Sequence, residues 1–138
     1  MKFSAYVPHR PPTTNVSYKI SRSRMYMSAE GKYWKEQAIL LMRCKHNENP
    51  QEWRGKFLEV YLTFFDSSTI TYDGDGPVKI TCDALSEALG FDDRYILSYH
   101  ITKSKGPSGV FIHLREMTQV EIEEIGTKWK DLINENNI

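Results

Sequence analysis

The sequence predicts a single domain of the α+β class. Alternating or β-branched apolar runs predict strands, and apolar side chains at helical spacing predict helices in other parts of the chain. With 138 residues, of which 40% are hydrophobic, the chain is long enough to bury a core of ordinary size. We expect no membrane contact, because no apolar run approaches the about 20 residues that cross a bilayer and no signal peptide opens the chain.

The N-terminal third of the chain combines a strand, a polar arm and a helix. Lys2–Val7 alternates as a strand, and Pro8 breaks the pattern. Thr13–Met27 is polar without a clean period, which predicts a loop or an irregular arm. Ser28 is a favourable N-cap for a helix that reaches about Lys45, since apolar side chains recur there at helical spacing.

The middle of the chain predicts a second strand and a short helix. Lys56–Phe65 is rich in β-branched and aromatic residues, with apolar groups on both faces of the strand. Pro77 suits the first turn of a helix, which makes Gly76 or Asp75 the expected N-cap. Gly90 suits the end of this helix, because glycine adopts the left-handed conformation there at little cost.

The C-terminal part predicts a hairpin and a last helix. Arg94–Thr102 and Val110–Glu116 are expected to pair as a hairpin around a basic, glycine-rich tip at residues 103–109. Thr118 is the expected cap of a final amphipathic helix.

Charge is distributed unevenly along the chain. Residues 1–45 carry nine Lys and Arg against two acidic residues, and residues 46–138 carry nine against sixteen. The two parts therefore carry +7 and −7, although the whole chain is neutral. This asymmetry is typical of a nucleic-acid face beside an acidic metal site, and equally of solvated surface, so charge alone leaves both readings open.

Motifs of several enzyme classes are missing from the sequence. No Gly-x-Ser-x-Gly elbow, no phosphate-binding glycine loop and no paired histidines occur. Cys44 and Cys82 lie in predicted helices without motif spacing, which indicates reduced core thiols of a cytosolic protein. We therefore expect no zinc site, no hydrolysis by a serine or cysteine nucleophile, and no organic cofactor.

Five aspartates and a lysine crowd into one segment of the chain, namely Asp73, Asp75, Lys79, Asp83, Asp92 and Asp93. Carboxylates at this density repel one another unless a cation lies between them or water solvates them fully. Several aspartate oxygens suit Mg²⁺ or Mn²⁺ better than zinc. A solvated Asp-Gly-Asp-Gly turn is the alternative. A calcium loop is disfavoured, because its bidentate Glu would fall at Ala84.

Two groups of motifs occur in a recognisable order. The first contains Pro11-Pro12-Thr13-Thr14-Asn15, the basic arm Arg22–Arg24, and Ser28-Ala29-Glu30-Gly31. The second contains Asp73, Asp75, Lys79, Asp83-Ala84-Leu85 and the pair Asp92-Asp93. In residue types and spacing, the chain resembles the RusA-type Holliday junction resolvases, endonucleases of bacteria and their phages. The resemblance covers about Tyr6–Glu116, and it departs where Gly76 and Pro77 follow the second Asp in place of the usual Asn.

The resemblance implies a RusA-like mixed sheet flanked by helices within one domain, and a homodimer that acts on branched DNA. Residues 1–116 would form the endonuclease domain, and residues 117–138 would be a C-terminal helical extension of it. The implied function is Mg²⁺-dependent resolution of four-way junctions by paired symmetric nicks, in DNA recombination and repair. The implied location is the cytoplasm of a bacterial or phage-infected cell. Two alternatives stay open: a junction-binding protein with little cleavage, which the Gly76-Pro77 departure favours, and a nuclease for forks or flaps.

The resemblance also implies roles for single residues. Asp73, Asp75 and Asp93 would bind Mg²⁺, with Mn²⁺ as a substitute and Asp92 as a further ligand. These three and Lys79 are the catalytic candidates, since Lys79 would offset negative charge in the transition state. Asp83 shares a helix face with Lys79 and would orient it or join the metal ligands, unless the two form a plain salt bridge. The candidates for contacts with the DNA backbone are Arg22, Arg24, Lys32, Lys103 and Lys105.

Overall fold

The computed structural model describes residues 1–12, 18–21, 24–46, 51–67 and 77–135. Along the chain lie β1 (Lys2–Pro8), β2 (Tyr18–Ser21), β3 (Arg24–Met27), α1 (Ala29–Lys45), β4 (Leu58–Asp66), α2 (Val78–Leu89), a 3₁₀ turn (Asp93–Tyr95), β5 (Ile96–Lys105), β6 (Gly109–Glu116), α3 (Gln119–Glu124) and α4 (Thr127–Glu135). These strands and helices confirm the predicted α+β class. No helix in the described ranges is long and apolar enough to cross a bilayer.

Four strands form one mixed sheet in the order β1-β6-β4-β5. β6 pairs antiparallel with both β1 and β4, whereas β4 pairs parallel with β5. A parallel pair needs a crossover connection, and α2 lies in the connection between β4 and β5. Among the described residues, β5 is therefore an edge strand whose neighbour in the sheet is β4.

The predicted hairpin between Arg94–Thr102 and Val110–Glu116 is wrong. β5 and β6 both pair with β4, which lies between them. The short connection at residues 106–108 passes the end of β4, where the N–H of Gly106 donates to the carbonyl of Asp66 at 3.1 Å. A Cβ on Gly106 would lie 2.9 Å from Cδ1 of Phe65, so the close crossing favours glycine. A short glycine-rich loop predicts that the two strands on either side of it pair with each other. It does not show that β4, from earlier in the chain, lies between them.

The arm predicted at Thr13–Met27 contains strands instead. β2 and β3 pair antiparallel, with Ser21 opposite Arg24, and form a separate two-stranded sheet. Each strand has only four residues, too few for an alternating pattern to stand out in a polar sequence. Residues 13–17 and Arg22 lie outside the described residues.

The hydrophobic core lies between the two long helices and one face of the sheet. From β4 it takes the fully buried side chains Leu58, Val60, Leu62 and Phe64. From α1 and α2 it takes Trp34, Ala38, Met42, Ile80, Leu85 and Leu89. α1 begins as predicted, because Ser28 is its N-cap and accepts a hydrogen bond from the N–H of Gly31 at 3.1 Å.

A polar network occupies the opposite face of the sheet. Arg115 donates from Nη2 to Oε1 of Glu59 at 2.7 Å and from Nη1 to Oε1 of Glu121 at 2.8 Å. Nε2 of His100 lies 3.1 Å from Oε2 of Glu59, and the ring of Tyr61 stacks on His100 at a centroid distance of 4.3 Å. Burial raises the pKa of Glu59, but hydrogen bonds from these three neighbours outweigh it, and the pKa lies below its ordinary value. The network thereby ties α3 to the sheet.

The prediction of one continuous final helix is wrong. The chain forms two short helices instead, α3 up to Glu124 and α4 from Thr127. Thr118 caps α3 in a capping box: its Oγ1 accepts from the N–H of Glu121 at 3.2 Å, and Glu121 accepts from the N–H of Thr118 at 2.9 Å. Gly126 separates α3 from α4, because its φ of 77° is left-handed and interrupts the helical backbone.

The Arg115–Glu121 pair makes stability depend on pH. The hydrogen bond from Arg115 lowers the pKa of Glu121 from 4.5 to about 2. Such a carboxyl stabilises the fold fully above its unfolded pKa, and this contribution is lost as the pH falls through the folded value. We expect Glu121→Gln to flatten the fall of Tm between pH 4.5 and pH 2, because Gln keeps the capping box but does not ionise.

Thermal unfolding followed by circular dichroism at several pH values measures this effect. The exposed Glu124 of the same helix provides the control Glu124→Gln, which removes one charge without removing the partner of Arg115. Parallel curves of Tm against pH for the wild-type and Glu121→Gln proteins would contradict the assignment.

Candidate active site

The first turn of α2 forms one wall of the site. Pro77 is the N-cap, with φ of −85° and ψ of −3°, and it makes no side-chain cap hydrogen bond. The prediction of Asp75 or Gly76 as the N-cap is therefore wrong. Thr81 closes the first turn, because its N–H and its hydroxyl both donate to the carbonyl of Pro77, at 3.2 and 2.7 Å. At the other end, Gly90 has φ of 77° and confirms the predicted left-handed stop.

Lys79 and Asp83 form the ion pair that their spacing predicts. Nζ of Lys79 lies 3.3 Å from Oδ2 of Asp83, one turn further along the same helix face. The side chain of Lys79 is 52% exposed and that of Asp83 is 23% exposed. Exposed pairs of this kind add little to stability. The pair places the ammonium group of Lys79 beside the carboxylate of Asp83 at the surface of α2.

A cavity of about 380 Å³ opens between α2 and β5. Its lining comes from both elements and from the 3₁₀ turn: Val78, Lys79, Cys82, Asp93, Tyr99 and Ile101. Tyr99 and Ile101 share the sheet face that the helices cover, because they pair with the buried residues Val60 and Leu62 of β4. The structure thus brings Asp93 to the half of α2 that carries Lys79, a proximity that sequence spacing alone does not determine.

The neighbouring aspartates Asp92 and Asp93 have different surroundings. Asp92 caps the 3₁₀ turn: its Oδ1 accepts from the N–H of Arg94 at 3.0 Å, and its Oδ2 lies 3.0 Å from Nε of Arg94. Its side chain borders a separate cavity with Arg54 and Tyr95. Of the two aspartates, Asp93 is the one that lines the cavity of Lys79.

Two side chains of the cavity lie within electrostatic range of Asp93. Burial raises the pKa of Cys82 to about 12, and the charges of Asp93 and Asp83 add to the shift. Cys82 is therefore a protonated, buried thiol, as predicted, whereas the prediction of a core position for Cys44 is wrong because Cys44 is exposed. Burial also raises the pKa of Tyr99, with further contributions from Cys82 and Asp93. Both groups stay neutral near neutral pH.

Tyr99 and Ile101 are site residues that sequence reasoning missed. Their only signal is that they alternate on one face of the strand that follows Asp93. Whether that face meets α2 or solvent depends on the position of β5 in the sheet, which the alternation does not encode.

The two first aspartates of the acidic cluster, Asp73 and Asp75, lie outside the described residues. Within the ranges that the structure describes, no three His, Cys, Asp or Glu side chains gather as a metal site. Asp93 offers carboxylate oxygens of the type that Mg²⁺ and Mn²⁺ prefer. Asp93 lies beside the N-terminal half of α2. Residues 73–76 come directly before that end of the helix in the chain.

The predicted DNA-contact residues fall in different parts of the chain. Lys32 is exposed on α1 and Arg24 belongs to β3, while Arg22 lies outside the described residues. Lys103 and Lys105 lie near the end of β5 and not on a hairpin tip. Lys103 points to the sheet face toward α2, because its partner in β4 is a buried residue.

Comparison with known proteins identifies one family. The family described as Endodeoxyribonuclease RusA matches residues 8–115, which include α2, the 3₁₀ turn and every described residue that lines the cavity. No curated protein matches the chain. The family match confirms the resemblance that the two groups of motifs indicate.

Proposed function

Because this chain belongs to the RusA endodeoxyribonuclease family, we propose that it is a Mg²⁺-dependent nuclease that resolves four-way DNA junctions by paired symmetric nicks. Nucleases of this family act on Holliday junctions and generally depend on a divalent metal ion. The observation that carries the proposal is the cavity that Lys79 and Asp93 line together. In metal-dependent phosphodiester hydrolysis, carboxylates hold the cation and a positive group stabilises the negative charge that develops.

The residues present fit a divalent cation by the chemistry of their donors. Asp73, Asp75 and Asp93 would hold Mg²⁺ through carboxylate oxygens, and Mn²⁺ would substitute because it accepts the same ligands. When bound, the ion would polarise the scissile phosphate and lower the pKa of an attacking water. Asp92 is not part of this proposed ligand set, because its carboxylate already binds Arg94 and borders a different cavity.

Lys79 would stabilise the negative charge that develops on the phosphate oxygens or on the leaving oxygen. Asp83 would act as a positioning residue, since its carboxylate holds the ammonium of Lys79 at 3.3 Å. The charge then stands in place before the reaction begins, so that it costs no reorganisation in the transition state.

Basic residues and a second subunit would complete the substrate site. Arg22, Arg24, Lys32, Lys103 and Lys105 are the proposed contacts with the DNA backbone. A homodimer suits a four-way junction, because two symmetric nicks need two sites related by a two-fold axis. Residues 1–116 would form the nuclease domain and residues 117–138 its helical extension, in the cytoplasm of a bacterial or phage-infected cell.

A junction-binding protein with little cleavage is the second candidate function. Gly76 stands where the family usually has Asn, and Pro77 caps α2 without a side-chain hydrogen bond. An Asn side chain, which can cap a helix or orient a ligand, is therefore absent at this position. This candidate predicts junction binding without nicking.

Cleavage of a labelled synthetic four-way junction with Mg²⁺ tests the proposal, beside a linear duplex, a fork and a flap. We expect paired nicks at symmetric positions in the junction, no cleavage of the duplex, and loss of nicking in Asp75→Asn. Faster cleavage of the fork or flap would favour a nuclease for other branched DNA. Binding without nicking in both Mg²⁺ and Mn²⁺ would reject the nuclease proposal and leave the junction-binding candidate.

A further inference from the structure

The cavity beside Lys79 and Asp93 has an apolar part that phosphate chemistry does not use. Four of its lining residues are apolar or aromatic or carry a protonated thiol, namely Val78, Cys82, Tyr99 and Ile101. Phosphates are bound by cations, polar side chains and backbone N–H groups. A nucleotide also carries a base with apolar faces. The apolar wall of the cavity, beside Lys79 and Asp93, is suited to contact that base.

Tyr99 is the residue of this wall that is best placed to meet a base. Tyr99 is 47% exposed as a residue, although its side chain shares the sheet face that the helices cover. Since β5 is an edge strand, the cavity opens at the border of the sheet. Within the part of the chain that the structure describes, the ring of Tyr99 has no aromatic partner, whereas Tyr6 and Tyr61 each contact another ring.

From this placement we propose that the ring of Tyr99 stacks on a base at the branch point, next to the scissile phosphate, and thereby favours branched over linear DNA. The inference rests on the nuclease function proposed above. In a continuous duplex the base must first leave its stack, whereas a base at a branch point is stacked less completely and pays less to do so. Stacking on an aromatic side chain tolerates any sequence, because every base has a π-face. Tyr99 would thus govern the choice of substrate, while Lys79 and Asp93 serve the chemistry.

The experiment replaces the base beside the mapped nick with 2-aminopurine, in a four-way junction and in a linear duplex. Binding is followed by fluorescence with Ca²⁺ in place of Mg²⁺, which keeps the DNA uncleaved. Tyr99→Phe keeps the ring, and Tyr99→Leu removes it. Phe111→Leu is the matched control, because Phe111 is 40% exposed and lies on the opposite face of the same sheet.

We expect the wild-type, Tyr99→Phe and Phe111→Leu proteins to quench the fluorophore equally. Tyr99→Leu should lose the quenching, together with about tenfold of the preference for junction over duplex. Quenching and preference that persist in Tyr99→Leu, or that vanish equally in Tyr99→Phe, would overturn the stacking proposal and leave the nuclease function standing. A wild-type protein that neither binds nor cuts branched DNA would instead overturn the nuclease function, and this inference with it.

Discussion

Replacing Asp93 with Asn should abolish metal-dependent cleavage and leave the fold and DNA binding in place. We expect the single-turnover cleavage rate to fall at least about a thousandfold, which equals about 4 kcal/mol of transition-state stabilisation. The amide keeps the shape of the side chain but removes the negative charge that favours a divalent cation. The fold should tolerate the change, because Asp93 is exposed. The affinity for the junction should not weaken, because the variant loses a negative charge that would repel the phosphates of the DNA.

Asp92→Asn is the matched control, because the same chemical change is made one residue earlier in the chain. The carboxylate of Asp92 binds Arg94 and borders a different cavity. Cleavage should therefore stay within about threefold of the wild-type rate, as expected for the loss of an exposed ion pair. Equal losses in both variants, or a loss confined to Asp92→Asn, would contradict the assignment of Asp93 as the metal ligand.

Lys79→Met should lower the single-turnover cleavage rate by about a hundredfold to a thousandfold. The positive charge of Lys79 acts on charge that develops only in the transition state, so the affinity for the uncleaved junction should change little. Met keeps most of the aliphatic length of the side chain. Cleavage rates and Kd values, both measured on the same labelled junction, separate the two effects.

Lys35→Met is the matched control for Lys79→Met, because it also removes a lysine that forms an ion pair, but one outside the cavity. Nζ of Lys35 lies 2.8 Å from Oε2 of Glu87, and neither residue lines the cavity. Its cleavage rate should stay within about threefold of the wild type. Similar losses in Lys35→Met and Lys79→Met would mean that only overall charge matters.

Asp83→Asn tests whether Asp83 positions Lys79. As a single change it should slow cleavage, but it should add nothing in a protein that already carries Lys79→Met, because Asp83 acts through that lysine.

Several local features could be predicted because their causes lie within a few residues. Ser28 caps α1 and Gly90 ends α2, as their residue types indicate. Lys79 and Asp83 form an ion pair because residues four apart meet on a helix surface. Each of these features depends on one hydrogen bond or one contact within a single turn of the chain.

The errors concern partners that are distant in the chain or a single special backbone position. β5 pairs with β4 and not with β6, although a short loop joins β5 to β6. Alternation of side chains determines which residues share a face, but it does not determine which strand lies alongside. Gly126 divides the final helix because its backbone is left-handed there, whereas the apolar spacing continues on both sides.

By itself the sequence determined the family, the α+β class and the residue types that a nuclease site would use. Only the tertiary structure decided that Asp93, and not Asp92, lies in the cavity of Lys79, and that Tyr99 joins them. The hydrogen bond and ion pair to Arg94 hold Asp92 in the 3₁₀ turn, while backbone pairing with β4 places Tyr99 on the face toward α2. Sequence spacing describes separations along the chain, but a catalytic cavity depends on distances across elements whose order the sheet establishes.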